Sequence, residues 1–441
     1  LKTFARPIDL GRLSRAAAAI GLCALVAACG GGGGGGGASL PIVTTPAATT
    51  TTTTTTTTTP SSGATPAAST ADSNVVAISV DTGPAGATGQ VNIPYVKVTI
   101  CTPNSTSACQ TIDHVILDTG SEGLRLVSSA LTNRAALPQQ MDSSGNPYAE
   151  CAQFASGFTW GSVRTASISV GGETAASVPV QIIGDPDIAA VPASCGSAGA
   201  AQDTVASFGG NGLLGVSVFR QDCGSACAAA AIAGTYYSCP GNTNCTPAKI
   251  PVTQQVSNPV PFFAADNNGV LVQMPAIAAG GATNPTGTLV FGIGTRSNNA
   301  LGNAKAYATN GQGSLSTTVD GSTYGDSFID SGSNFLYFDL ATLAACSQNG
   351  FQGFYCPAST TTLNGTVTGS NGSTGSFTFG IANAVNALNA NPSATAFSNI
   401  GAQIDSAGSF DYGLPFFYGR NVFTAIEDAS TPAGNGPYFG F

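Results

Sequence analysis

The sequence predicts an all-β body built from two similar halves. Short β-branched runs are one ground for this: "YVKVTI", "IDHVILD", "ASISVGG", "VPVQIIGD", "GTLVFGIG" and "SFIDSG" lie between Gly, Pro, Asn and Ser clusters. No long helical period interrupts them after residue 75, which also favours an all-β class. The third ground is duplication. "VILDTGSEGLRL" (115–126) and "FIDSGSNFLYF" (328–338) share the order apolar–Asp–hydroxyl–Gly–hydroxyl followed by apolar residues.

The chain has 441 residues, and its beginning differs from its body. Residues 1–15 carry Lys2, Arg6, Arg12 and Arg15 against Asp9, and residues 16–28, "AAAAIGLCALVAA", are small and apolar. That order reads as a secretory signal over residues 1–28. The apolar run is shorter than the roughly 20 residues that span a bilayer. The ending Val26-Ala27-Ala28-Cys29 resembles the bacterial lipobox, which implies that Cys29 is acylated and anchors the protein to a membrane. An ordinary signal followed by a chance cysteine is the alternative. Gly30 after the cysteine leans toward the outer membrane of the cell envelope, again by resemblance.

Residues 29–74 hold Gly30–Gly37, the run Thr49–Thr59 and Pro/Ala/Ser stretches, with no Lys or Arg. Such composition cannot bury a core and predicts a disordered tether. Its reach is tens of ångströms for a flexible chain.

From Val75 onward the chain is too long for one comfortable core, and two lobes are expected, 75–292 and 293–441. Charged residues are 8% of the sequence against a usual ~25%. With 42% hydrophobic residues the body can still fold. A net charge of −9 excludes nucleic acid as a partner, since phosphates need a basic face. Short helices are expected at 339–346, 383–390 and around 225–233. A monomer is expected.

Ten cysteines follow Cys29: Cys101, Cys109, Cys151, Cys195, Cys223, Cys227, Cys239, Cys245, Cys346 and Cys356. An even number in an exported chain reads as disulfides. The expected pairs are Cys101–Cys109 across a hairpin, Cys151–Cys195 and Cys346–Cys356. Cys223, Cys227, Cys239 and Cys245 allow three pairings, and a zinc site is their rival reading.

Each aspartate stretch is followed at a similar interval by an apolar–Gly segment. Gly215 in "NGLLGVSVF" lies 97 residues after Asp118, and Gly413 in "YGLPFFYGRNVF" lies 83 after Asp330. A single Asp-hydroxyl-Gly stretch would read as a turn capping a strand. Asp81-Thr82-Gly83 is such a case, since Pro84 follows and no apolar run does. Two copies with matched downstream glycines resemble the pepsin-type, two-lobed aspartic proteases, and the likeness covers residues 75–441. Lipoprotein families of proteobacteria with this fold are similar.

The resemblance implies that Asp118 and Asp330 meet and share one proton, one acting as base toward a water and the other as acid. It implies supporting roles for Thr119, Gly120, Ser121, Ser331, Gly332 and Ser333, and no metal or cofactor. "CAQFASGFTWGSVRTASISVGG" (151–172) matches the family's flap hairpin, with Phe154, Ser156 and Gly157 at the substrate cleft. "GTLVFGIG" resembles the strand that crosses between lobes, and "GPYFGF" the closing strand.

Three positions depart from the family pattern. Phe154 stands for the flap tyrosine, Arg125 for a tryptophan after the first aspartate, and Leu414 for an acid after Gly413. His114, the one histidine, reads as a strand residue, and Trp160 as packing. Two functions remain: an aspartic endopeptidase acting on peptides or proteins, or a silent lipoprotein of the same fold that binds peptide or glycan.

Overall fold

The computed structural model describes residues 68–404, 406 and 408–441. The expected signal, Cys29 and the tether as far as residue 67 lie outside those residues. Residues 68–74, assigned to the tether by composition, belong to the folded body. Asn74 is buried and its amide donates to the Phe291 carbonyl at 2.8 Å. The Ala68 N–H donates to Gln273 Oε1 at 2.9 Å.

The described chain is mostly β. Its first part comprises β1 (Val75–Ser79), β2 (Tyr95–Cys101), β3 (Cys109–Asp118), β4 (Glu122–Val127), β5 (Tyr148–Phe154), β6 (Gly157–Val170), β7 (Glu173–Ile183) and β8 (Gly212–Val216). Then follow β9 (Tyr236–Ser238), β10 (Thr246–Pro247), β11 (Gly269–Gln273) and β12 (Thr286–Phe291). The second part holds β13 (Ala306–Ala308), β14 (Leu315–Val319), β15 (Ser322–Ile329), β16 (Leu336–Phe338), β17 (Thr361–Thr368), β18 (Thr374–Ile381), β19 (Gly401–Ala402) and β20 (Ser409–Tyr412). It closes with β21 (Asn421–Ala425), the short pair β22 (Ser430–Thr431) and β23 (Gly434–Asn435), and β24 (Tyr438–Gly440).

These strands form a fifteen-stranded sheet, a seven-stranded one and the separate β22–β23 pair. The larger runs from β10 through the first part to β1, β12 and β11, and there takes in β21, β24 and β13 from the second part. The "GTLVFGIG" strand β12 lies between β1 and β11, and it is β11 that pairs with β21 of the second part. The smaller sheet has the order β18-β17-β14-β15-β20-β16-β19.

Burial follows each strand's place in the sheets. β4, β8 and β20 are buried at every position, and "GLLGV" in β8 reads as a continuous apolar run. β14 and β17 alternate buried with partly exposed residues, as expected of strands with one solvated face.

Two expected helices are present, Ser225–Ala229 and Ala384–Ala390. The second is capped by Asn383, whose side chain accepts the Asn386 N–H at 3.0 Å. The helix expected at 339–346 is not formed. Ala345 instead bridges Tyr355, Cys346 N–H donates to the Phe354 carbonyl at 2.8 Å, and the Cys346–Cys356 disulfide closes the loop. Pairing across that loop overrides local helix propensity.

All ten cysteines among the described residues are paired. Cys101–Cys109, Cys151–Cys195 and Cys346–Cys356 are as expected, and the other four join as Cys223–Cys227 and Cys239–Cys245, which removes them as zinc thiolates. Cys101 and Cys109 face each other in register across the β2–β3 hairpin. Five disulfides fit a protein outside the reducing cytoplasm. No helix among the described residues is long and apolar enough to cross a membrane.

Candidate active site

Asp118 ends β3, and β8 runs between β3 and β4, parallel to the first and antiparallel to the second. This register sets Asp118 opposite Gly215. A Cβ on Gly215 would lie 2.7 Å from the Ser121 carbonyl oxygen, so only glycine lets β8 pass through the loop. The second half repeats the unit. β20 lies between β15 (parallel) and β16 (antiparallel), with Ile329 opposite Tyr412. Asp330 N–H donates to the Tyr412 carbonyl at 3.1 Å, and a Cβ on Gly413 would lie 2.0 Å from the Phe335 oxygen. The matched downstream glycines thus have a steric cause.

The two loops meet through four reciprocal hydrogen bonds. Thr119 N–H donates to Ser331 Oγ at 3.1 Å, and Ser331 N–H to Thr119 Oγ1 at 2.9 Å. The Thr119 hydroxyl donates to the Ile329 carbonyl at 3.0 Å, and that of Ser331 to Leu117 at 2.8 Å. Each hydroxyl so accepts one amide and donates to one carbonyl, in a fully buried setting.

The carboxylates cross over this grip. A Cβ on Gly120 would lie 2.5 Å from Asp330 Cγ, and one on Gly332 would lie 2.9 Å from Asp118 Cγ. Each carboxylate therefore rests on the other loop's glycine. Gly120 N–H donates to Asp118 Oδ1 at 2.7 Å, and Gly332 N–H to Asp330 Oδ1 at 2.8 Å. The Ser121 hydroxyl donates to Asp118 Oδ2, and Ser333 Oγ lies 3.0 Å from Asp330 Oδ2. All the sequence-expected dyad residues are gathered here.

Asp118 is 4% exposed and Asp330 1%. Burial pushes the Asp330 carboxyl well above the usual range. The charges of Asp118 and Asp411 and a hydrogen bond with Asp118 add to this. Two such carboxyls in contact cannot both ionise readily, and their protons titrate as a pair. The pair can offer one ionised base and one neutral acid at the same point. Asp411 was not singled out from sequence; the readable signal was an acid inside the aromatic run of β20.

The β5–β6 hairpin exists, but its tip is not free. Phe154 is buried among Ile116, Leu213 and Phe208, edge-on to Phe208 at 6.4 Å. The Ser156 carbonyl accepts from Gln202 Nε2 at 2.9 Å, and Phe158 N–H donates to Ala200 at 3.0 Å. Gly157 packs so closely that a Cβ would lie 2.0 Å from the Ala200 oxygen. Cys151–Cys195 ties β5 to the turn leading into that segment. The side chain expected at an open cleft is thus packed inward, because residues 200–202 cover the tip.

Arg125 also has a role that sequence did not reveal. It is 1% exposed, and its guanidinium bonds Glu150 and the Glu122 carbonyl, with Asp222 at 3.1 Å. Tyr236 donates to Asp222 Oδ1 at 2.7 Å. Burial, then Glu150, pushes the Asp222 carboxyl well up, while Arg125 pulls it down.

Trp160 is packing, as expected: its indole N–H donates to the Ile188 carbonyl at 2.8 Å and its ring meets Tyr237 edge-on. His114 lies in β3 with φ +46°. Asp81 accepts from Gly83 N–H at 2.9 Å, closing a turn, and has His114 Nε2 at 3.4 Å, a partner not expected from sequence.

Among curated proteins none matches this chain. One family does, over residues 70–441, and the chain belongs to it: the family described as Protein of unknown function (DUF3443).

Proposed function

We propose that the protein is an exported aspartic endopeptidase of pepsin-like, two-lobed architecture, each lobe supplying one aspartate. The observation that carries this reading is the duplicated loop, with Thr119 and Ser331 bonded reciprocally and each carboxylate seated on the other loop's glycine. A turn that merely capped a strand would need neither.

In the proposed reaction, ionised Asp118 takes a proton from a water as that water attacks the peptide carbonyl. Protonated Asp330 gives its proton to the carbonyl oxygen. Collapse of the tetrahedral intermediate then returns a proton to the leaving amine. No metal or cofactor takes part. Five disulfides agree with work outside the cytoplasm, and acylated Cys29 would hold the body near the cell envelope at the end of its tether.

The test is cleavage of a diverse peptide mixture from about pH 3 to about pH 8, with a bell-shaped profile expected. Activity should rise as the pair gives up its first proton and fall as Asp330 loses the one that remains. Because Asp330 is pushed upward, the falling limb should lie above the ordinary carboxylate range. Gly120→Ala should lower kcat/KM about a hundredfold, since its methyl displaces the Asp330 carboxylate. Circular dichroism would check that the fold is kept.

A second reading is favoured by the buried Phe154 and the covered hairpin tip. It makes the protein a silent lipoprotein that binds peptide or glycan. Wild type that cleaves nothing, with Asn variants that bind a partner as wild type does, would establish it.

A further inference from the structure

Ser333 has one hydroxyl hydrogen and two carboxylate oxygens within reach of it. Its Oγ is 2.6 Å from Asp411 Oδ2 and 3.0 Å from Asp330 Oδ2. All three side chains are buried, Asp411 completely. One hydrogen serves only one acceptor well, and the second contact is made good when one of the two carboxyls carries a proton and donates it to Ser333 Oγ. The shorter contact has the length of a hydroxyl bonding an ionised carboxylate. That leaves the proton on Asp330.

We propose that Asp411 is a positioning residue for the dyad: it takes the Ser333 hydroxyl hydrogen, so that Ser333 accepts from Asp330 Oδ2 and the dyad's proton rests on Asp330. The relay runs Asp330 O–H to Ser333 Oγ, then Ser333 O–H to Asp411. The other loop has no counterpart. Asp411 stands two before Gly413, and the residue two before Gly215 is Leu213. Ser121 therefore keeps its hydrogen for Asp118 Oδ2, and Asp118 receives two donors, as an ionised base should. The two halves share a backbone plan but are chemically unequal, and the inequality assigns acid and base.

The groups facing Asp330 are few. Asp118 comes from the end of β3 and Asp411 from β20; Ser333 belongs to its own loop. Tyr337 of β16 lies opposite Asp411 in register and bonds Asn334 Oδ1 at 2.6 Å. Burial and both acids push its phenol up, so it stays neutral. No cation is among the groups that shift Asp330.

As a statement about catalysis this rests on the proposed hydrolysis; as a statement about the resting proton it does not. The experiment is a carbon-13 carboxyl titration of the full chain labelled at aspartate, beside the pH–rate profile. The highest-titrating carboxyl is identified by its loss in Asp330→Asn. Asp411→Leu removes the acceptor of the Ser333 hydroxyl and Asp411→Asn weakens it to a neutral amide oxygen, so in both the hydroxyl can turn to donate to Asp330. That titration should then move down by about one pH unit, with the falling limb of the rate profile following it. Amide spectra that otherwise overlay wild type separate this from unfolding. An Asp330 titration unmoved in both folded variants overturns the proposal, as does assignment of the highest carboxyl to Asp118. If the titration moves while wild type cleaves no peptide, the proton assignment stands and the hydrolysis reading fails.

Discussion

Asp118→Asn and Asp330→Asn should each cut peptide cleavage by about a thousandfold or more, within the range for losing a general acid or base. An amide fills the carboxylate's space but can neither take the water's proton nor supply one to the carbonyl oxygen. The folds should survive, because the Thr119–Ser331 grip does not use the carboxylates. Stability gives a second readout for Asp330. Its raised pKa means that the native state holds a proton which the unfolded chain releases near an ordinary Asp pKa of about 3.9. That contribution is whole below this pH and is lost as pH rises through the folded value. Asp330→Asn removes the loss. Its thermal midpoint should therefore match wild type or exceed it at neutral pH, and the gain should fade in acid. Paired thermal melts at about pH 4 and about pH 7 would show it.

Arg125→Met should be the costliest single change outside the dyad, at about 3–5 kcal/mol. Arg125 is the cation that bonds Glu150 and Asp222, both largely withdrawn from water. Its removal leaves two acids facing each other in a poorly solvated space. They would have to hold protons to stay there, so the variant's deficit should shrink in acid and widen as pH rises. Adding Glu150→Gln and Asp222→Asn should recover much of the loss, because the buried charges leave together. Urea unfolding across pH measures both effects. If the single variant is as stable as wild type at neutral pH, the three groups are not a compensating set.

The dyad was legible because its pattern is local. Asp, hydroxyl, Gly and hydroxyl sit in four consecutive positions, and the glycine that lets β8 or β20 through is marked by its apolar neighbours. Arg125 was read only as a departure from a family pattern. Its partners lie 25 and 97 residues away, and the β4–β7, β6–β7 and β5–β6 pairings with the turn after β8 gather them. Asp411 was hidden in the same way, since threading β20 between β15 and β16 is what sets it beside Ser333. Phe154 was placed by position in a hairpin, but residues 200–202 fold over that hairpin, Gln202 reaching Ser156 from 46 positions downstream. At 339–346 a short helix is expected, and a disulfide-closed bridge takes its place. Local chemistry reads well from sequence; what covers or balances it depends on contacts the chain makes far away.

The most direct measurement is mass spectrometry of a peptide mixture incubated with the wild-type protein, beside the same mixture incubated with Asp330→Asn. The dyad account predicts new peptide termini with wild type, each arising by addition of one water, and none with the variant. New termini formed equally by both proteins, or by neither at any pH, would contradict it.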